Sequence, residues 1–282
     1  MRPGVVYSFL TYEIKRSLAR KKVLLLVAFV LLLDTVPYYA LATSGASIIP
    51  SILYPYVWIA GILIPQPLFI PFVAIFIAAG AMSEEYEQGT AELLLSKPVS
   101  KMEYVVGKFS GGYTLLLLIL LLSSGVSLIS AYLAFGTQLS LEILPGAYVT
   151  VAFSSLLFFS VAFMVGELLR RSSLAYIFAS ALLFTSNILG FYMELIYRLT
   201  GNEFYHAVQI YLPTSPVDSL PVQYISTNLP ITAQQLTGVL PIPGAVEPSI
   251  EASILLILVY SVGAVLTFLF YFRYADVSRK IS

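Results

Sequence analysis

The chain has 282 residues, of which 59% are hydrophobic and only 11% are charged, against roughly 25% in an average soluble domain. The 15 Lys and Arg residues balance the 15 Asp and Glu residues, so the formal net charge is zero, and there is no cysteine. A soluble globule of this size could not bury so much apolar surface, and collagen, coiled coil and disorder do not fit the composition either. The lack of cysteine excludes disulfides, thiolate metal sites and cysteine nucleophiles. The composition therefore predicts a membrane protein.

The first segment, residues 4–22, is amphipathic and too charged to cross a membrane. Its apolar residues recur at helical spacing: Tyr7, Leu10, Ile14 and Leu18. The basic residues between them would face anionic headgroups, so we expect an elbow helix that lies in the inner membrane interface. Membrane lipid is therefore one expected partner, and a generic membrane anchor is the simpler alternative.

A helix needs about 20 apolar residues to cross the hydrocarbon core of a membrane. The chain after the first segment contains several apolar stretches of that length. Five of them are uninterrupted: 23–42, 109–135, 147–169, 174–195 and 250–272. Together with a sixth, they predict an all-α polytopic membrane protein with six transmembrane helices in a single domain, 1–282. Ala40-Leu41-Ala42 resembles a signal-peptidase site, but the charged lead before it is long for a secretory leader. We interpret the first stretch as a retained span.

The sixth stretch, the second along the chain, is interrupted by Pro55, Pro65, Pro67 and Pro71. Because proline is tolerated in the first turn of a helix and kinks it further in, we predict a span over 65–82. Residues 51–64 would then lie at the outer surface, where Trp58 and two nearby tyrosines fit an aromatic belt. One long helix with a kink between Pro65 and Pro71 is the alternative.

The basic residues are strongly segregated along the chain. Of the 15 Lys and Arg residues, only Arg198 falls in the connections 43–64, 136–146 and 196–249, and the other 14 lie on the opposite side of the predicted membrane. By the positive-inside rule the side with 14 is cytoplasmic, so both termini are expected in the cytoplasm, at the plasma membrane. The connection 196–249 is too long for a turn, and we expect it to form an outer cap of short helices.

Residues 83–108 form the predicted cytosolic connection between the second and third spans. Gly89 allows a bend, and the short apolar run after it is stopped by Pro98. Ser100 and Glu103 have the spacing of a capping box, which would open the next helix. The segment therefore predicts a short cytosolic helix that offers a rigid surface to a partner. A polar hairpin that merely connects two spans is the alternative.

This connection contains the sequence EEYEQGTAELLLSKPVSKMEYVVGK, which resembles the signature region of permease (transmembrane) subunits of type-2 ABC exporters, the ABC-2 transporter permease family. The elbow, the six spans, the cytosolic termini and the enlarged connection between the fifth and sixth spans also resemble that family, so the resemblance covers nearly the whole chain. In such permeases this segment is the coupling helix, which docks into a groove of the ATP-binding subunit. The resemblance implies this role for Glu84, Glu85, Glu87, Gly89, Thr90, Glu92, Leu93, Leu94, Leu95, Lys97 and Pro98.

The resemblance implies a subunit of an ATP-driven exporter that has no enzymatic site of its own. The sequence contains no G-x-x-x-x-G-K-[ST] motif, so we expect ATP and Mg²⁺ to be bound by a separate ABC ATP-binding subunit, present in two copies. A second permease, the same or a related chain, would complete the transport path. No cofactor or metal in this chain and no nucleic acid are expected. The spans carry few polar groups, which favours an apolar or amphipathic cargo.

Asp34 lies deep in the first predicted span, and a buried carboxylate is costly enough to be a functional candidate. It could instead lie near the outer end of a span that begins earlier, where water reaches it. An ion-coupled secondary transporter that uses Asp34 is therefore an alternative function, and a non-transporting membrane scaffold for an ATPase is another. A membrane protease using Glu84 and Glu85 is disfavoured, because the single histidine, His206, lies in the outer connection.

Two further groups of residues are weaker candidates. Glu167 with Arg170 or Arg171 has the spacing of helix-stabilising ion pairs, in the turn between the fourth and fifth spans. We interpret this turn as a second contact with the ATPase or as a plain basic anchor. The spacing Ser186-x-x-x-Gly190 allows close helix approach and indicates a dimer or pathway face in the fifth span.

Overall fold

The structure is a computed structural model that describes residues 2–43, 50–96, 98–230 and 248–274, without the side chains of Glu92 and Leu95. Within these ranges the chain forms helices and turns and no β-strand. The α-helices are α1 (Pro3–Leu18), α2 (Lys21–Leu33), α3 (Val36–Thr43), α4 (Trp58–Leu63), α5 (Phe69–Glu87), α6 (Thr90–Leu95), α7 (Lys101–Phe135), α8 (Leu144–Leu169), α9 (Ser172–Thr200), α10 (Glu203–Gln209), α11 (Thr214–Asn228) and α12 (Ile250–Tyr274). Short 3₁₀ helices cover Ser51–Tyr56 and Leu141–Ile143.

Six helical stretches in the described ranges are long and apolar enough to cross a membrane. They are α2 with α3 (Lys21–Thr43), α5, α7, α8 with the 3₁₀ turn before it (Leu141–Leu169), α9 and α12. The predicted all-α polytopic fold with six spans is thereby confirmed.

The second spanning helix departs from its predicted limits. The chain makes turns over 64–68, where two prolines lack backbone donors, and α5 begins at Phe69 rather than at Pro65. It then continues past Met82 to Glu87, so the first acidic residues of the predicted cytosolic segment belong to the spanning helix. One long kinked helix is also wrong, because α4 and α5 are separate helices.

Most of the region before α5 is buried within the protein, although Ile52 and Ile64 are exposed. Trp58 is buried, and its indole N–H donates to the backbone oxygen of Leu139 at 2.9 Å. α4 packs against α7 so closely that a Cβ atom on Gly61 would overlap the side chain of Ser127. The predicted aromatic belt is therefore wrong for Trp58, because its neighbours are other parts of the protein.

α5 and α8 form the centre of the bundle. The fully buried residues of α5 include Ala74, Ala78 and Ala79, whose small side chains let α8 come close. A Cβ atom on Gly166 of α8 would lie only 2.6 Å from the backbone oxygen of Ala79. α7 and α9 flank α5, whereas α11 and α12 flank α8.

The two ends of the bundle are built differently. At the end that we name the α1 end, α1 packs along the first turns of α7, and a Cβ atom on Gly111 would lie 2.8 Å from the backbone oxygen of Leu10. At the opposite α11 end, α11 packs among α8, α9 and α12, and its residues 214–222 are all buried. The remainder of the predicted outer cap, residues 231–247, lies outside the described residues.

Candidate functional site

The short helix α6 lies at the α1 end of the bundle, between α5 and α7 in the chain. Gly89 leads into it with φ of +69°, a left-handed conformation that favours glycine and makes the bend that the sequence predicts. Ala91 is buried, whereas the side chain of Leu93 is 69% exposed. α6 therefore presents an apolar side chain to its surroundings.

Several of the predicted coupling residues are close together in this helix and its flanks. The hydroxyl of Thr90 donates to the backbone oxygen of Glu85 at 3.4 Å, which attaches the first turn of α6 to the end of α5. The other members of the group are Gly89, Leu93, Leu94 and Pro98. Lys97 and the side chains of Glu92 and Leu95 lie outside the description, so their predicted contacts stay predictions.

The predicted capping box opens α7. The Ser100 hydroxyl accepts from the Glu103 N–H at 3.1 Å, and the Glu103 carboxylate accepts from the Ser100 N–H at 3.0 Å. The same carboxylate accepts from the backbone N–H of Arg2 at 2.6 Å. The chain that returns from α6 is therefore attached to the start of α1 as well as to α7.

The carboxylates of Glu84 and Glu85 point into the protein. Glu85 is fully buried and Glu84 is mostly buried. Glu84 contacts Arg16 of α1 and Arg20, the residue that precedes α2. Glu85 contacts Arg16 and Lys108 of α7. The resulting buried ion cluster consists of Glu13, Arg16, Arg20, Glu84, Glu85 and Lys108.

Lys108 lies at the centre of the buried ion cluster. Its Nζ atom is 2.7 Å from Oε2 of Glu13, contacts the carboxylate of Glu85, and donates to the backbone oxygen of Ala81 at 3.0 Å. Burial by itself would raise the pKa of Glu13, but the attraction of Lys108 and the two arginines outweighs it and lowers the pKa. Glu13 is therefore held in its charged form.

Two arginines connect α5 to the other side of the buried ion cluster. Nε of Arg20 lies 3.0 Å from Oε2 of Glu84, and Nη1 of Arg16 lies 3.3 Å from Oε1 of Glu85. The phenol of Tyr176 in α9 donates to Oε1 of Glu84 at 2.7 Å. Burial would lower the pKa of Arg16, but the surrounding carboxylates raise it. The cluster thus joins α1, α5, α7 and α9.

The six charges compensate one another, three against three. Removing one partner of a buried ion pair typically costs about 3–5 kcal/mol, because the other charge is left buried and uncompensated. The buried ion cluster therefore fixes the end of α5, and α6 comes after that end with only Gln88 and Gly89 between them.

The side of α1 that contacts protein is distinct from the predicted apolar stripe. Arg16 and Arg20 approach the carboxylates of the cluster rather than lipid headgroups, and Tyr7 and Leu18 of the predicted apolar stripe are exposed. The buried stripe, spaced four residues apart, is Phe9, Glu13 and Ser17. A carboxylate in line with apolar and small residues is the sequence signal that indicates a buried cationic partner.

The third acidic residue, Glu87, caps α9. Its carboxylate accepts from the N–H and the hydroxyl of Ser172, at 2.9 and 2.5 Å, at the positive end of the helix dipole. The predicted second ATPase contact lies just before Ser172: Glu167 is buried and accepts from Nη2 of Arg170 at 3.1 Å, whereas Arg171 is exposed. This turn is therefore attached to the end of α5.

Asp34 lies between α2 and α3 and is fully buried. One carboxylate oxygen accepts from the hydroxyl of Ser123 in α7 at 2.5 Å, and the other has no hydrogen-bond partner among the residues that the structure describes. One turn later the hydroxyls of Tyr38 and Ser127 lie 2.8 Å apart. Water does not reach Asp34 in this structure, and its functional role stays a prediction.

Ser186 and Gly190 face α11 and the turn before it. The Ser186 hydroxyl accepts from the N–H of Thr214 at 3.1 Å and lies 2.8 Å from the Thr214 hydroxyl. Leu212 is the nearest neighbour of Gly190 outside its own helix. Ser186 is therefore buried against the same chain, whereas Gly190 is partly exposed, and their role in a dimer or pathway face stays a prediction.

No group of three or more His, Cys, Asp or Glu side chains in the described ranges is placed to hold a metal ion. His206 stacks on Tyr197 with ring centroids 4.7 Å apart, as an ordinary side chain of α10.

The comparison with protein families is consistent with this architecture. The chain matches the family described as ABC-2 family transporter protein over residues 8–277, which is nearly its whole length. No curated protein matches it. The resemblance seen in residues 83–108 is confirmed, and the six helices able to cross a membrane agree with it. The chain therefore belongs to the ABC-2 family of transporter proteins and is a permease, the membrane component of an ABC transporter.

Proposed function

We propose that this permease is the membrane-spanning subunit of an ATP-driven exporter, which pairs with a second permease, the same or a related chain, and with two ATP-binding subunits. The exposed Leu93 of α6 carries the proposal, because an apolar side chain on a short helix suits the groove of a partner. ATP and Mg²⁺ are bound by the partner, and this chain supplies the surface that the partner moves.

The distribution of charge supports a cytosolic position for α6. In the sequence, 14 of the 15 Lys and Arg residues lie on the side of the predicted membrane that carries α1 and α6, and only Arg198 lies on the other. By the positive-inside rule α6 faces the cytoplasm, and both termini lie in the cytoplasm, at the plasma membrane.

A push on α6 would move several spanning helices together. α6 is joined to α5 by two residues, and the buried ion cluster ties the end of α5 to α1, α7 and α9. Glu87 adds a second attachment to α9. Closure of the ATP-binding subunits would therefore displace this end of the bundle as one unit, and the spans rearrange to release cargo outward.

The remaining surface suits a second permease, lipid and an apolar or amphipathic cargo. In the most apolar window of α2–α3, of α9 and of α12, only 22%, 22% and 28% of the residues are buried, against 72% for α5. These helices keep apolar faces that lipid or a second permease would cover.

The test is reconstitution of the chain with its candidate ATP-binding subunit, followed by measurement of subunit affinity and of ATP-dependent export. Leu93→Asp places a charge in the apolar contact without disturbing the interior, because the side chain is exposed. We expect at least a tenfold loss of affinity, which corresponds to about 1.4 kcal/mol, with a parallel loss of export.

Phe204→Asp is the matched control, since Phe204 is an exposed apolar residue of α10. It should leave both affinity and export unchanged. Unchanged affinity in Leu93→Asp would refute the contact. Transport that continues without the ATPase and disappears in Asp34→Asn would favour the ion-coupled alternative, and ATPase binding without cargo flux would favour the scaffold.

A further inference from the structure

A small cavity lies at the α11 end of the bundle, bounded by α9, α10 and α11. Its volume is about 40 Å³, and a single water needs roughly 10–15 Å³ of such space. It therefore has room for one or a few small groups and none for a whole cargo molecule. The cavity is away from α6, so a ligand bound in it would not depend on the proposed ATPase contact.

Asp218, in the first turns of α11, lines this cavity and is only 5% exposed. Its Oδ1 atom is buried and has no hydrogen-bond partner in the part of the chain that the structure describes. Burial of the carboxylate raises its pKa well above the ordinary value. A buried carboxylate without a partner is costly. A cation in the cavity would supply the partner that Oδ1 of Asp218 lacks among the described residues.

A second acceptor faces the same cavity. Gln209, the last residue of α10, is buried, and its Oε1 atom also has no hydrogen-bond partner among the described residues. Nearby donors are used elsewhere: the Ser215 hydroxyl donates to the backbone oxygen of Gln209 at 2.6 Å, and the Asn187 amide donates to that of Leu183 at 3.2 Å. The cavity therefore has unsatisfied acceptors and few free donors.

The carboxylate at the rim of the cavity has an arginine partner. Arg198 pairs with Glu194 at the rim of the cavity, with Nε 2.7 Å from Oε1, and the arginine side chain is largely exposed. The rim thus adds a second carboxylate that is only partly compensated by a solvent-exposed partner. Both the interior and the rim favour a positively charged occupant.

We infer that this cavity is a binding site for a small cation, held by the carboxylate of Asp218 and the amide oxygen of Gln209. Carboxylate and amide oxygens are the ligands that hard metal cations prefer, and an ammonium group would donate hydrogen bonds to the same two atoms. The occupant is either a free alkali ion or the primary ammonium group of a larger ligand. A quaternary ammonium group has no N–H and cannot donate these hydrogen bonds.

The experiment is thermal unfolding of the purified full-length chain in lipid nanodiscs, followed by the fluorescence of Trp58, its single tryptophan. Sodium, potassium and methylammonium chloride are compared with choline chloride at equal ionic strength. At roughly five times its Kd the bound cation should raise Tm by about 2–4 °C over choline, in a saturable manner. A rise with sodium or potassium identifies a metal ion, and a rise with methylammonium identifies an ammonium group.

Asp218→Asn keeps the shape of the side chain and should abolish the difference from choline. Glu203→Gln, which removes an exposed carboxylate of α10, should retain it. If Asp218→Asn does not fold, Gln209→Met serves instead and should raise the half-saturating concentration by about tenfold, the loss of one hydrogen bond to a charged group. Equal Tm values in all four salts, or a selective rise that persists in Asp218→Asn, would overturn the inference.

Discussion

At the scale of single residues, Lys108 stands out as a charged side chain that water does not reach. Its side chain is fully buried, and its ammonium group is compensated by Glu13 of α1 and Glu85 of α5. The net gain from such a group is small, because the desolvation of each charge offsets much of the attraction. Loss of one member is expensive, however, since its partners keep their charges in a place that water does not reach.

Lys108→Met should therefore destabilise the chain strongly. We expect a loss of about 3–5 kcal/mol, because three buried carboxylates would then be left with only two cations, Arg16 and Arg20. Lys101→Met, at an exposed position of the same helix, should cost less than about 1 kcal/mol. Thermal unfolding in detergent measures both, and similar losses for the two variants would contradict the central role of Lys108.

Glu13 predicts how stability depends on pH. Its pKa in the folded chain is lowered from the ordinary value of 4.5, so its charged form contributes stability that is fully present above pH 4.5. That contribution is lost as the pH falls from 4.5 through the lowered pKa. Tm should fall more steeply below pH 4.5 in the natural chain than in Glu13→Gln, which is already less stable at pH 7. Parallel acid profiles would disprove this contribution.

At the scale of elements, the contact between α5 and α8 depends on small residues. A Cβ atom on Gly166 would lie too close to the backbone oxygen of Ala79, at 2.6 Å, and backbone cannot move aside as the end of a flexible side chain can. The two central helices are therefore held at a separation that only glycine permits at this position.

Gly166→Ala should lower the stability by about 1–3 kcal/mol, through overpacking of this contact. Gly125, in the middle of α7, is the matched control, because a Cβ atom added there would meet no neighbouring side chain or helix within 4 Å. Gly125→Ala should be neutral or stabilise by about 0.4–1 kcal/mol, because alanine has less conformational freedom to lose. Thermal unfolding of the two variants checks the contrast, which an equal response would refute.

At the scale of the whole molecule, the buried ion cluster connects the surface offered to a partner with four helices. Glu84 is the member that reaches α9, through Tyr176, while it pairs with Arg20. Glu84→Gln should weaken both contacts without altering the exposed face of α6. We expect the partner ATPase to bind and hydrolyse ATP as before while export falls roughly fivefold, the effect of about 1 kcal/mol of lost coupling.

The control for this prediction is Glu142→Gln, a substitution at an exposed carboxylate of the short 3₁₀ turn before α8. It should change neither hydrolysis nor export. If Glu84→Gln reduced ATPase binding and export equally, the carboxylate would act in the partner contact itself, as the family resemblance implies.

Features that depend on a few neighbouring residues were predictable from the sequence, and contacts between distant segments were not. The bend at Gly89 and the capping box of Ser100 and Glu103 act within a single turn, so their residues could be recognised directly. The contact of Lys108 with Glu13 joins residues 95 apart. The hydropathy of the sequence places Lys108 and Glu13 near the membrane surface. It does not show which helix faces meet.

The composition of the buried ion cluster has a consequence for biosynthesis. Glu13 is translated first, Glu84 and Glu85 come later, and Lys108 comes 95 residues after Glu13. Until the segment with Lys108 has entered the membrane, three carboxylates share only two cations. The contacts that hold α1 against the bundle are therefore incomplete. The ammonium group of Lys108 neutralises the buried ion cluster. The N-terminal half of the chain can therefore reach its final packing only after the third span has been inserted.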